Sequence, residues 1–316
     1  MRKILMGHNF KREGFTSLEG KFEMIYPEAK MFTREEILER IKDADALVPN
    51  FSFKTDAGII ESGKNLKLIA NYGVGYNTID IDFAAKKGIT VTNTPQSVLE
   101  PTAELCFALI SATARKVAYY SHKLHSGVRL DWGLYGDLGM PLYGQTLGIY
   151  GMGRIGQAVA RRAVASGMNI IYHNRNRLAL EIEEKYNARY VDFDTLLKES
   201  DIISLNAPAT NETYHLMGEE QFAEMKDTAI LINAARGQLV DEKALANALR
   251  NRVIWAAGLD VFENEPKILP ELLELDNAIV CPHAGSSTYA ARIDMQHEVA
   301  KNIINFFEGG QIDKVN

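Results

Sequence analysis

The feature that most constrains this chain is a repeated alternation of short apolar runs with helical patterns. The first series of runs is Lys3–Met6, Phe22–Tyr26, Ala46–Val48, Leu66–Ala70 and Thr90–Thr92. The second is Thr146–Tyr150, Met168–Tyr172, Asp201–Leu205, Ala229–Asn233 and Trp255–Leu259, with Ala278–Val280 last. Strands separated by helices cannot pair as hairpins, so they pair in parallel through right-handed crossovers. Two series predict two α/β units, and 316 residues is enough chain for both.

Between the series, a helix is expected to open near Pro101, a residue suited to a first turn. Leu105, Ala108, Leu109 and Ala112 lie at helical spacing while Cys106, Phe107 and Ile110 cover other faces, which predicts a buried helix at the domain junction. The following stretch, His122 to Gln145, is rich in glycine, carries Trp132, Tyr135 and Tyr143, and lacks clear periodicity. It reads either as a surface excursion or as an arm that packs on a second subunit. A last helix follows Ser286 and Ser287 as candidate N-caps, with Val299, Ile303 and Phe306 on one face.

The second series opens with TLGIYGMGRIG over 146–156, a strand followed by Gly151-x-Gly153-x-x-Gly156 and then a helical pattern. That order is the context the glycine motif needs for dinucleotide binding. Gly151 allows the tight turn, Gly153 lets backbone approach a pyrophosphate, and Gly156 lets helix and strand pack closely. The helix start, at Arg154 and Ile155, then offers N–H groups and positive potential to the phosphates. About twenty residues on, a site for the unphosphorylated dinucleotide carries an acid that bonds the ribose hydroxyls. Here His173–Arg177 has no acid, and Asn174 stands in its place. Arg175 and Arg177 can pair with a 2′-phosphate, which favours NADP over NAD, the bland alternative being a solvated basic turn.

Three later segments carry reactive groups at strand ends, where open α/β sheets bind their ligands: NAARG over 233–237, GLDVFENEP over 258–266 and PHAGSST over 282–288. Reducing a 2-oxo acid requires a held carboxylate, a polarised carbonyl and a proton donor. Arg236 suits the first two, because its planar fork is always charged. His283 suits the third, with Glu265 to fix its tautomer and favour its protonated form. Asp260, just after a strand, is placed to bond the nicotinamide amide. Each residue alone is weak evidence, since such residues are usually surface cations, solvated acids or structural histidines. Their joint occurrence after a dinucleotide motif is what points to catalysis.

These segments resemble the D-isomer-specific 2-hydroxyacid dehydrogenase family, in particular its glyoxylate and hydroxypyruvate reductases. NYGVGYNTID over 71–80 resembles the family's substrate loop, Thr94-Pro95 and Thr102-Ala103-Glu104 its hinge, and Ala207-Pro208 with Thr213 its nicotinamide-side loop. The resemblance implies two Rossmann-like domains with parallel sheets. One is a discontinuous, flavodoxin-like substrate domain (1–99 plus 285–316), and the other a dinucleotide-binding domain (100–284) with a dimerisation arm near 122–145. It implies substrate contacts from Val74, Gly75, Arg236 and His283. It implies cofactor contacts from Gly151, Gly153, Arg154, Ile155, Gly156, Asn174, Arg175 and Arg177, from Ala207, Pro208 and Thr213, from Ala234, Ala235, Arg236 and Asp260, and from Thr102, His283 and Gly285. The activity implied is hydride transfer from NAD(P)H to a small 2-oxo acid giving the D-2-hydroxy acid, with domain closure excluding water.

An alternative within the same fold is a dinucleotide-sensing, corepressor-like scaffold that binds protein partners. A formate dehydrogenase is disfavoured, because hydride abstraction from formate needs no proton donor of the Glu265–His283 kind. The resemblance also implies a homodimer. A net charge of −6 argues against nucleic acid or an acidic membrane surface as partner. Cys106 and Cys281 lack a CxxC spacing, no HExxH is present, and no run reaches membrane-spanning length. The expectation is a cytoplasmic protein without a metal.

Overall fold

A computed structural model describes residues 1–50, 53–131 and 133–316, so Trp132 lies outside the described residues. The strands are β1 (Arg2–Met6), β2 (Phe22–Ile25), β3 (Ala46–Val48), β4 (Leu68–Ala70), β5 (Thr90–Thr92), β6 (Thr146–Tyr150), β7 (Asn169–His173), β8 (Ala188–Tyr190), β9 (Ile202–Leu205), β10 (Ile230–Asn233), β11 (Ala256–Leu259) and β12 (Ala278–Val280). The helices are α1 (Arg34–Arg40), α2 (Ala57–Ser62), α3 (Ile81–Lys86), α4 (Leu99–Ala114), α5 (Val117–His125), α6 (Arg154–Ala165), α7 (Leu180–Tyr186), α8 (Phe193–Glu199), α9 (Glu219–Glu224), α10 (Glu242–Arg250), α11 (Pro270–Leu273) and α12 (Tyr289–Glu308). They form two compact units, one of Met1–Val98 with Ser286–Asn316 and one of Leu99–Gly285.

In the first unit the parallel sheet runs β2-β1-β3-β4-β5, the flavodoxin-like order. β3 and β4 are buried along their whole length, as strands covered on both faces must be. One face packs Ile4, Met6, Val48 and Leu68 on Met295, Val299 and Ile303 of α12. The other packs Leu5, Leu47 and Ile69 on Ile37, Ile59 and Ile60. The last helix therefore completes a core begun by the first hundred residues. Buried Gln296 reinforces this, its Oε1 accepting the Gly14 N–H at 2.9 Å. Thr288, rather than Ser286 or Ser287, caps α12 by accepting the Ala291 N–H, because only Thr288 stands immediately before the first helical turn.

The second unit is a seven-stranded parallel sheet, β12-β11-β10-β9-β6-β7-β8. Taken from β6, this is the dinucleotide-binding order 3-2-1-4-5-6 with one strand added at the far edge. The reversal of direction falls between β6 and β9, where a ligand crevice is expected. β8 was invisible in the apolar pattern: Ala188-Arg189-Tyr190 is three residues long, and Arg189 is exposed at the sheet edge. The helix near Pro101 begins two residues earlier, at Leu99. It buries only one face, including Ala103, Cys106, Leu109 and Ile110, while Ala108 stays exposed. Ala103, Cys106, Leu109 and Ile110 join Ile149, Ile230 and Ile232 in this unit's own core. The segment from 122 onward is also partly regular, since α5 continues to His125.

Candidate active site

The glycine turn is shaped by three different constraints. Gly151 has a φ of 91°, and a Cβ there would lie 2.8 Å from the Ala207 nitrogen, so only glycine lets the loop after β9 pass this close. A Cβ on Gly156 would lie 2.6 Å from the Gly151 carbonyl oxygen. At Gly153 a Cβ would meet nothing within 4 Å. Gly153 is the N-cap of the twelve-residue α6 and supplies no side-chain cap at the positive end of the helix. That open surface, without a side chain in the way, fits a pyrophosphate.

Asn174 directly follows β7, and its Oδ1 accepts the Met152 N–H at 2.6 Å. The acceptor end of the amide thus braces the glycine turn. Arg175 is exposed. The Glu212 carboxyl in the loop after β9 sits below its ordinary range, chiefly through a hydrogen bond from Thr210 and with a smaller contribution from the Arg175 charge. Arg177 is differently employed. Its Nε and Nη2 donate to Glu183 at 2.8 and 2.7 Å, and the Tyr172 hydroxyl donates to the same carboxylate at 2.6 Å. Arg177 first, and then Tyr172, hold Glu183 down at about 2. Thr213 folds its own loop by donating to the Pro208 carbonyl and accepting the Thr210 N–H, both at 2.8 Å. Ala207 is buried beside the glycine turn.

Arg236 follows β10 in an extended conformation, and its Nη1 donates to the Ala235 carbonyl at 2.5 Å. Buried Asn233 shapes this turn by donating to the Arg236 carbonyl and accepting the Ala235 N–H. Gly237 packs directly on the next loop, since a Cβ there would overlap the Phe262 carbonyl carbon at 1.9 Å. Glu265 in that loop accepts the Phe262 N–H at 3.0 Å through Oε1 and faces His283 Nδ1 at 2.7 Å through Oε2. Burial pushes the Glu265 carboxyl up, but the His283 bond, the Phe262 N–H and the charges of His283 and Arg236 together outweigh it. The net result is a carboxyl below its ordinary value.

His283 sits in the left-handed region at φ 52°, a conformation that must be held from outside. Asp260 holds it. Its backbone carbonyl accepts the His283 N–H at 2.8 Å, and its two carboxylate oxygens accept the N–H groups of Ala284 and Gly285 at 2.7 and 2.8 Å. Asp260 is almost wholly buried, and burial drives its carboxyl up while those two N–H groups oppose the rise. It therefore cradles the histidine loop, a task the sequence did not announce. Thr102 of α4 lies against Gly285.

In the first unit, the carbonyls of Gly73, Val74 and Gly75 in the loop after β4 each accept an asparagine side chain. Asn71 Nδ2 donates to Gly73 and Gly75, and Asn93 Nδ2 to Val74, each at 2.9 Å. Asn71, Asn93 and Asn233 escaped the sequence reading; the one available signal is an asparagine at the end of a buried strand.

The chain matches the family model "D-isomer specific 2-hydroxyacid dehydrogenase, NAD binding domain" over residues 107–285. It is 46% identical to a glyoxylate reductase of Thermococcus litoralis over 97% of this chain and 94% of that one. The structure of a glyoxylate reductase from Paecilomyes thermophila superposes with a TM-score of 0.90 at 36% identity, covering 99% and 98% of the two chains. An NADPH-dependent glyoxylate/hydroxypyruvate reductase of Sinorhizobium meliloti superposes at 0.86 with 30% identity, covering 100% and 98%.

Proposed function

The chain belongs to the D-isomer-specific 2-hydroxyacid dehydrogenase family, and from that premise we propose that it reduces a small 2-oxo acid, of the size of glyoxylate or hydroxypyruvate, to the D-2-hydroxy acid. The observation that carries this reading is the 2.7 Å contact between His283 and Glu265 beside Arg236, in the unit that holds the glycine turn. A bound nicotinamide dinucleotide supplies the hydride to C2 of the substrate. Arg236 holds the carboxylate and polarises the carbonyl. With Nδ1 turned to a carboxylate, Nε2 of His283 is the nitrogen that delivers the proton to the carbonyl oxygen. Glu265 offsets the positive charge of the imidazolium before the transfer and fixes its ring. The amides of Val74 and Gly75 are assigned to the substrate carboxylate, their carbonyls being held by Asn71 and Asn93.

The cofactor proposed is NADP(H) in preference to NAD(H). An Asp in the place of Asn174 would repel a 2′-phosphate, whereas the neutral amide and Arg175 accept one. The assembly proposed is a homodimer. Leu134, Tyr135 and Tyr143 in the arm are 85%, 87% and 82% exposed, large apolar side chains of the kind a partner surface covers.

The deciding experiment is a panel of 2-oxo acids followed at 340 nm, about where reduced nicotinamide absorbs, once with NADH and once with NADPH. Oxidation of NADPH with glyoxylate or hydroxypyruvate is expected. Silence across the panel with both cofactors would overturn the reading.

A further inference from the structure

A second imidazole–carboxylate contact stands two residues from Glu265. His215 Nε2 lies 2.9 Å from Glu263 Oε1, and the Tyr214 hydroxyl donates to the same oxygen at 3.0 Å. A carboxylate only accepts, so His215 presents Nε2–H to it. Its Nδ1 faces Asp241 at 3.9 Å, beyond hydrogen-bond reach. The Tyr214 and His215 rings stack at 4.0 Å, which aims both donors from one side.

The rest of Glu263 is held as firmly. Its N–H donates to buried Glu242 at 2.6 Å, and its carbonyl accepts from the Gln238 side chain at 3.2 Å. His215, at φ 49°, donates its own N–H to the Gln238 carbonyl, and Met217 donates to Leu239. Three loops, those after β9, β10 and β11, therefore meet on one residue. One neighbour of that residue, Phe262, supplies the N–H that orients Glu265, and Gly237 presses on the Phe262–Glu263 peptide.

We propose that Glu263 is a positioning residue: clasped by His215 and Tyr214, it fixes the loop that aims Glu265 at His283. This deepens the reductase reading and rests on it for its catalytic meaning. Without the clasp, the loop after β11 loses its link to the loop after β9. Glu265 then swings away from Nδ1, and His283 loses the carboxylate that selects its tautomer. The clasp acts through geometry rather than charge, because a neutral acceptor of the same length can receive both donors.

The test uses imidazole nitrogen spectra of the full chain labelled with 15N-histidine, recorded in alkaline buffer without substrate or cofactor. In the native protein and in Glu263→Gln, His283 is expected as a single Nδ1–H tautomer. In Glu263→Ala it is expected as a mixture with the Nε2–H form. His215→Asn, which tolerates the left-handed backbone but is too short to reach Glu263, should give the same mixture and covers the case in which the alanine variant does not fold. In parallel, kcat should fall about tenfold in the alanine and asparagine variants with KM within about twofold, and recover in the glutamine variant. A single tautomer retained in the clasp-breaking variants overturns the proposal, as does an equal disturbance in Glu263→Gln, which would assign the effect to charge. The spectra need no turnover, so a native protein inactive on every 2-oxo acid would refute the reductase reading separately.

Discussion

Nδ1 of His283 lies 2.7 Å from Oε2 of Glu265, and the two residues reach each other across eighteen positions from separate strand ends. Glu265 is oriented within its own loop by the Phe262 N–H, whereas His283 is held from another strand end by Asp260. Because an imidazole with one nitrogen committed to a carboxylate transfers protons from the other, His283→Ala is expected to abolish turnover. Dinucleotide affinity, measured by fluorescence titration, should stay within about threefold of native. Glu265→Gln should lower kcat by about ten- to a hundredfold, since it keeps a hydrogen-bonding group but removes the charge that offsets the imidazolium. Turnover retained in His283→Ala would refute the acid role.

Gly237→Ala tests the packing that joins the Arg236 and Glu265 loops. The new Cβ would overlap backbone, which has no rotamer to yield, so a destabilisation of about 2–3 kcal/mol is expected in urea unfolding. A stability equal to native would show that the two loops are not pressed together.

Arg175 and Arg177 should separate cleanly in cofactor selection. Arg175→Ala is expected to raise KM for NADPH about tenfold and leave KM for NADH nearly unchanged. Arg177→Ala should leave the ratio of the two alone, because its guanidinium is bound to Glu183. Steady-state kinetics with both cofactors reads this directly.

Glu183 predicts an acid-side signature. Its carboxyl ionises at about 2 in the folded chain, against an ordinary value of 4.5, so its contribution to stability is complete above 4.5 and is lost as pH falls toward 2. Glu183→Gln should therefore flatten the fall in Tm across that window, as followed by thermal melts at stepped pH. An unchanged pH dependence would remove Glu183 as its source.

The arm predicts the assembly. Leu134→Asp combined with Tyr135→Asp places charge on the most exposed apolar positions and should convert a dimer to monomer in sedimentation velocity. A native protein that sediments as a monomer would end the dimer proposal.

Much of this was legible in the sequence because it depends on local spacing. Buried parallel strands need runs such as Ile202–Leu205 and Ile230–Asn233, and a dinucleotide turn needs Gly151, Gly153 and Gly156 between strand and helix. The edge strand Ala188–Tyr190 escaped because an edge buries too little to require an apolar run. Asp260 was assigned to the nicotinamide because only its place after a strand was visible, while the N–H groups it holds, those of Ala284 and Gly285, lie twenty-four and twenty-five residues on. Arg177 looked identical to Arg175 until Glu183 and Tyr172 were seen around it.

The sequence by itself determined two parallel sheets, the glycine turn and the three reactive side chains, since periodicity and residue chemistry are properties of neighbours along the chain. The pairing of Glu265 with His283 was expected from residue chemistry as well; only the tertiary structure decided which groups hold the two in place, the Phe262 N–H for the carboxylate and Asp260 for the histidine loop. Hydrogen bonds between loops at different strand ends depend on sheet order and register, and no spacing along one chain encodes the 2.7 Å between an imidazole and a carboxylate.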